Sequence, residues 1–503
     1  MTATVLMVQG TASGVGKSVV TAGLCRLLRR RGLRVAPFKA QNMSLNAAVT
    51  RDGEEIARST AVQAAACGVE PTVDMNPILL KPEAEARSQV IVRGRVWGTL
   101  RAREYFARKH DFWPVVADAL DRLRDRYEVV VAEGAGSPAE MNLRDRDIVN
   151  MRVARYASAS VVLVGDVERG GVFAQLVGTL DLLPHDERAL VRGLVVNRFR
   201  GDRSLFADGV RFLEERTGRP VLGVVPWVRD LGLAEEDGAV LDRPRPSSGG
   251  PLRVAVVKLP RIANFDDFGP LERMAELDVR YADRPAELDG ADLVVLPGSK
   301  STIADLAYLR ERGLADAVVA ARRRGAAVIG ICGGFQMLGR TIRDPERFES
   351  PIGEAMGLGL LPHETVFAPE KEVARVRARL VAHVGPFGAA RGAEVDAYEI
   401  HAGRSAAETG APIRVVARGA REVDLPDGAM TDDGAVFGTY LHGLFENAVA
   451  RRALADWLKE RRGLPSGSSG AGEEPDPHDG WADVLDEALD VPRLLDLCGV
   501  PAP

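Results

Sequence analysis

The sequence predicts the α/β class: two doubly wound domains in tandem, each a mostly parallel sheet covered by helices. Three observations carry this. Short β-branched runs, among them TVLMVQG, YEVVVAEG, ASVVLVGD and LRVAVVKL, alternate with Ala/Leu/Arg-rich stretches of helical periodicity, as in parallel strands joined by crossover helices. At 503 residues the chain exceeds what one core sustains. The segment DRPRPSSGGP concentrates Pro, Ser and Gly between two such regions and reads as a linker. The expected division is residues 1–241, a linker at 242–251, and residues 252–462. Residues 463–503 read as a flexible tether, GLPSGSSGAGEEPDP, followed by a short tail helix in WADVLDEALDVPRLLDL. No internal repeat at a solenoid period is present.

TVLMVQGTASGVGKSVVTAGLCRLLRRRG runs from an apolar strand through a Gly-rich turn into an amphipathic helix, and the turn ends in Gly16-Lys17-Ser18. In such a phosphate loop, backbone N–H groups and the positive end of the helix cradle phosphates, a lysine neutralises charge and a hydroxyl holds Mg²⁺. Five residues separate Gly10 from Gly16, and Thr11 stands where a first glycine is usual. Thr11, Gly14, Val15, Gly16, Lys17 and Ser18 are the expected ATP-binding residues, with Ser18 also a metal ligand. YEVVVAEGAG places Glu133 at the carboxyl end of a buried strand, where open sheets bind ligands, and makes it the candidate Mg²⁺ carboxylate. Asn197, in LVVNRFRGD, ends a further strand and is placed to read a base edge.

In the second half, AAVIGICGGFQMLGRT is a buried strand, then Cys332, then two glycines and a helix, the geometry of a nucleophile elbow with cysteine in place of serine. A thiol at a helix N-terminus is favoured as thiolate, and a nearby histidine lowers its pKa further. A buried cysteine is ordinarily a core residue, but a core strand does not need three glycines around it. Of seven histidines, His401 and His442 stand at the ends of apolar strands, and AVFGTYLHGLFEN makes His442 the expected base. ADLVVLPGSKST ends a buried strand one unit before the elbow, so backbone N–H groups of Gly298 or Ser299, with Gly333, are the expected oxyanion donors.

Composition excludes several classes. A formal charge of -5 offers no basic excess for nucleic acid. The four cysteines, Cys25, Cys67, Cys332 and Cys498, form no CxxC pair, against a disulfide framework or zinc site. No apolar run approaches the roughly 20 residues that span a bilayer, and the N-terminus lacks the features of a secretory leader. A cytoplasmic protein without a membrane partner is expected, and a homo-oligomer is left open.

Family resemblance sharpens these readings. The five-residue loop spacing resembles dethiobiotin synthetase, a P-loop NTPase that phosphorylates a carboxylate. PFKAQNMSLNA, NPILLKP, EGAGSPAEMNL and RGGVFAQLVGTL closely resemble one branch of that superfamily, the cobyric acid synthases. The strand before His442 is similar to the G-x-Q-F-H-P-E strand of class I glutamine amidotransferases, with Leu444 where the third triad member, a glutamate, is usual. The fold the resemblance implies is thus a dethiobiotin-synthetase-like domain followed by a class I amidotransferase-like domain. It also implies that Lys39, Gln41 and Asn42 face substrate or phosphate, that Glu55 lies near the metal or substrate and is a candidate metal ligand, and that Asn197 approaches adenine. It implies a Cys332–His442 dyad, with Glu446 or Glu399 as open choices for a supporting carboxylate. EIARST and Glu168-Arg169-Gly170-Gly171 depart from the family's EIGRAQ and DRGG.

A carboxylate-phosphorylating half and an ammonia-releasing half together make an amide. The implied cofactors are ATP and Mg²⁺, and the implied substrates are glutamine and a corrinoid acid, adenosylcobyrinic acid a,c-diamide, amidated at its b, d, e and g carboxylates. Cobyrinic acid a,c-diamide synthase ranks second, since its substrate strings differ from KAQNMSLNA. A partitioning or metal-insertion ATPase carries an extra lysine where this chain has Ala12 and needs no cysteine elbow.

Overall fold

A computed structural model describes residues 2–83, 87–228, 231–233, 241, 248–406, 410–465 and 476–500. Two six-stranded sheets organise it. The first is all parallel, in the order Val221–Pro226, Val191–Phe199, Ser160–Asp166, Thr4–Gly10 (β1), Val129–Glu133, Val35–Phe38. β1 is central and almost entirely buried, and from it the chain passes through the phosphate loop into α1, Lys17–Arg30. Val20, Leu24, Leu27 and Leu28 at helical spacing bury one face of α1, which explains why this Arg-rich segment is a helix on a sheet. A second helix, α2, Arg58–Cys67, lies beside α1 and ends on Gly68 in the left-handed conformation.

The second sheet runs Leu277–Ala282, Leu252–Val257, Leu293–Leu296, Ala327–Ile331, Val436–Thr439, Ala429–Met430, parallel except at the last pair. Both sheets read as near-continuous aliphatic runs because helices cover both faces.

Two antiparallel layers stand beyond the sequence expectation. Gln41–Met43, Ile78–Pro82, Arg87–Val92 and Arg95–Arg101 form a small mixed sheet beside the first domain. A larger layer, dominated by the paired strands Glu364–Leu380 and Glu394–Ala406, lies between the elbow and strand Val436–Thr439 in the chain. Residues of both layers meet in one apolar cluster that includes Val49, Leu79, Ile91, Tyr398 and Ile400, so the two domains share a buried interface.

The tail corrects the expectation of one short helix. It forms two, Pro477–Ala488 and Val491–Cys498, each capped by an aspartate side chain, Asp476 and Asp490, with proline in the first turn. Both dock on the first domain: Trp481, Leu485 and Leu494 enter its core and the Trp481 indole donates to Val19 O at 2.7 Å. Arg26 and Arg30 of α1, and Arg31 just beyond its end, pair with Asp479, Asp483 and Asp486. The tether expected before them and most of the linker, 466–475 and 242–247, lie outside the described residues. Trp481→Ala is expected to cost about 3–5 kcal/mol, seen as a lower thermal midpoint. Asp483→Ala, removing a half-exposed pair, should cost under about 1 kcal/mol.

Among the described residues, no helix is long and apolar enough to cross a membrane.

Candidate active sites

The first site forms where the carboxyl ends of the parallel strands converge. Gly16 sits at φ 94°, ψ 21°, a conformation that favours glycine, and a Cβ there would lie 2.2 Å from the Asn197 amide. Asn197 is buried and its Nδ2 donates to Val15 O at 2.8 Å, so the structure places it as a brace on the loop backbone. Thr11 Oγ1 donates to Gln175 Oε1 at 3.2 Å. Lys17 folds back over the loop, donating to Ala12 O at 2.9 Å and Gly136 O at 3.0 Å, and so joins the two Gly-rich turns.

Glu133 is the hub. It is 1 % exposed, accepts from Ser18 Oγ at 2.7 Å and Lys39 Nζ at 2.9 Å on one oxygen, and from Gln63 Nε2 at 2.6 Å on the other. Ser18, Lys39 and Glu133 are thus brought together as expected, and Gln63 of α2 is an addition. A cavity of about 930 Å³ opens from this cluster. Its lining includes Gly14, Gly16, Lys17, Ser18, Lys39, Gln41 and Asn42, together with Trp113, Tyr156, Arg144, Arg152 and Arg155. Gln41 accepts from Tyr105 OH at 2.6 Å, and Asn42 donates to Ser59 Oγ at 3.1 Å.

Glu55 corrects the expectation of a third metal ligand. It is buried between Lys81 and Lys371, the second at 2.6 Å from the other domain, and is absent from the cavity wall. Burial alone would raise its pKa, but the two ammonium groups lower it to about 2. Its charge is spent on joining the domains. The remaining donors, one carboxylate and one hydroxyl beside a phosphate loop, suit Mg²⁺, which keeps several waters and takes its other ligands from phosphate.

The second site is built by three adjacent parallel strands. Leu293–Leu296 leads to Gly298 and Ser299, Ala327–Ile331 to Cys332, and Val436–Thr439 to His442. Cys332 is buried and has φ 50°, ψ -107°, a strained non-glycine conformation that sets the thiol at the start of the helix Gly333–Leu338. A Cβ on Gly333 would stand 2.8 Å from Ser299 N, so only glycine lets the expected oxyanion donors come together. Gly298 lies directly against the His442 ring.

His442 is 1 % exposed and its backbone N–H and C=O exchange hydrogen bonds with Tyr398; the Cys332 thiol donates to Ile400 O at 3.7 Å and lies within electrostatic reach of the imidazole. The other ring contact revises the expected dyad. His442 Nδ1 lies 2.7 Å from Asp267 Oδ2, and Asp267 Oδ1 accepts from Gly443 N at 2.8 Å. Neither open choice fills that place: Glu446 pairs with Arg58, and Glu399 with Arg418 and His401. Burial would lower His442, but Asp267 and then Cys332 hold it at about 10. Burial would raise Cys332, yet the hydrogen bond and charge of His442, then the charge of His401, bring it below the usual thiol value. The sequence carried a signal for Asp267, two aspartates inside the apolar string NFDDFGPL, but nothing linking it to a histidine 175 residues away.

Fold and sites together define an ATP-dependent amide ligase with its own glutaminase. Residues 6–241 match the model of the CobQ/CobB/MinD/ParA nucleotide binding domain, and residues 253–450 that of the CobB/CobQ-like glutamine amidotransferase domain. The chain is 54 % identical to a cobyric acid synthase of Chloroflexus aurantiacus over 99 % of both chains. It is 52 % identical to one of Sorangium cellulosum, again over 99 % of both. The chain belongs to the cobyric acid synthase family.

Proposed function

We propose that the chain amidates the b, d, e and g carboxylates of adenosylcobyrinic acid a,c-diamide, using ATP and ammonia released within the same chain. The observation that carries this is the pairing of a phosphate loop, opening on a large mixed cavity, with a buried Cys332–His442–Asp267 array. In the second site, Asp267 fixes Nδ1, leaving the other imidazole nitrogen for sulfur. The Cys332 thiolate attacks the glutamine carboxamide, and N–H groups of Ser299 and Gly333 receive the charge developing on oxygen. His442 gives its proton to the departing ammonia, and water then hydrolyses the thioester to glutamate.

In the first site a carboxylate is a poor electrophile until phosphorylated. Bound Mg²⁺, held by Ser18 and Glu133, would neutralise phosphate charge during transfer from ATP. Lys17 and Lys39 both line the cavity beside this pair and need little more than correct placement to favour that transfer. Arg144, Arg152 and Arg155 in the same lining suit a substrate bearing several peripheral carboxylates, and Trp113 and Tyr156 suit its apolar macrocycle. The domains as proposed divide at the linker, with the tail helices belonging to the first. The test is incubation with ATP, Mg²⁺, glutamine and each corrinoid acid, followed by mass spectrometry. Stepwise replacement of hydroxyl by amine on the a,c-diamide is expected; no change with any corrinoid overturns the substrate assignment.

A further inference from the structure

The loop that carries Asp267 is shaped from the other domain. Asn264 lies in the left-handed region at φ 53°, ψ 44°, uncommon for a residue with a Cβ. Its Oδ1 accepts from Ala47 N at 2.9 Å, and Phe265 N donates to Asn46 Oδ1 at 3.3 Å. The Asp266 side chain, 5 % exposed, forms an ion pair with Arg58, Nε to Oδ2 2.7 Å, and the same guanidinium pairs with Glu446, four residues beyond His442. Without that guanidinium Asp266 would be a buried, uncompensated carboxylate, which is costly. Asp267 follows directly and turns to His442.

Arg58 is the first residue of α2, and five residues along the same helix Gln63 donates to Glu133 and to Ser18 O. One short helix therefore touches both sites. The oxyanion loop is held from the same side, since Lys300, next to Ser299, meets Glu83 at 2.9 Å.

We infer that Arg58 is a positioning residue for glutamine hydrolysis: by pinning Asp266 and Glu446 it sets the loop that presents Asp267 to His442. The inference rests on the glutaminase reading of Cys332, His442 and Asp267. Arg58 touches no reacting atom, so its loss acts on turnover of bound glutamine and not on glutamine affinity.

The experiment uses the full chain and measures glutamate release over a range of glutamine concentrations, beside amidation driven by ammonium salt. Arg58→Ala is expected to lower kcat for glutamine on the order of tenfold to a hundredfold, the scale of a small misplacement of catalytic groups. KM for glutamine and the ammonium-driven rate should hold. Arg58→Lys should recover part of the loss, keeping the charge without the planar fork. Glu83→Gln should give a milder loss of the same kind. A wild-type kcat in Arg58→Ala, or an equal loss of ammonium-driven amidation, overturns the assignment. Cys332→Ser run alongside separates the two failures: if it still releases glutamate, the glutaminase reading has fallen and this inference with it.

Discussion

Cys332→Ser is expected to lose glutamine-driven amidation by a factor on the order of 10⁴ or more, the usual scale for removing a nucleophile from such an array. Ammonium salt should still drive amidation in the same variant. A serine hydroxyl nearly keeps the volume and the turn at φ 50°, but it is a far weaker acid than the thiol, whose pKa His442 lowers. The synthetase site lies in the other domain and receives ammonia regardless of its source. Lys17→Ala is the crossed control: it removes charge from the phosphate loop, so product should vanish with either nitrogen source. Glutamate release by Cys332→Ser at the wild-type rate would remove Cys332 from the mechanism. Product from Lys17→Ala with ammonium would remove the phosphate loop from carboxylate activation.

The parts of this molecule that were legible in the sequence are those fixed within one strand-turn-helix passage. The phosphate loop, Glu133 at its strand end, the elbow at Cys332 and the turn at Gly298-Ser299 each announce themselves locally, because a tight turn at a sheet's carboxyl edge needs particular residues at fixed offsets. His442 was legible for the same reason, at the end of the strand paired with the elbow strand. What failed were charges whose partners come from elsewhere in the chain. Glu55 sits in an acidic string that suggests a metal site, yet its two lysines arrive from Lys81 and from Lys371, 316 residues away. Asp267 is separated from His442 by five strands of the second sheet and the whole antiparallel layer. The tail shows an intermediate case. Its apolar spacing was visible, but Asp490 and Pro492 divide it into two helices, and its docking depends on aspartates meeting arginines in and just beyond α1.

Asp267→Asn isolates the group the sequence did not name. Asparagine keeps the size and can still contact the imidazole, but it removes the carboxylate that opposes burial and holds His442 at about 10, against an ordinary 6.5. The native value lies above the unfolded one, so the Asp267–His442 contact contributes stability in full below about pH 6.5, and loses it as pH rises through about 10. The variant should therefore be less stable at neutral pH, with the deficit narrowing as pH approaches 10. Catalysis follows the same sign. Wild-type glutamine hydrolysis should persist on the basic side until the imidazolium is lost near pH 10. Without Asp267, burial dominates, the imidazole deprotonates at lower pH, and the basic limb should move down. The Cys332 thiol should rise as its cationic partner weakens. The turnover number should fall roughly 10²–10⁴-fold, as when a triad aspartate becomes its amide and the wrong tautomer is favoured. Rates of glutamate release across pH, with thermal midpoints at neutral pH and near pH 10, test both statements. An unmoved basic limb with native turnover would reduce Asp267 to a structural hydrogen bond, and the catalytic unit to Cys332 and His442 alone.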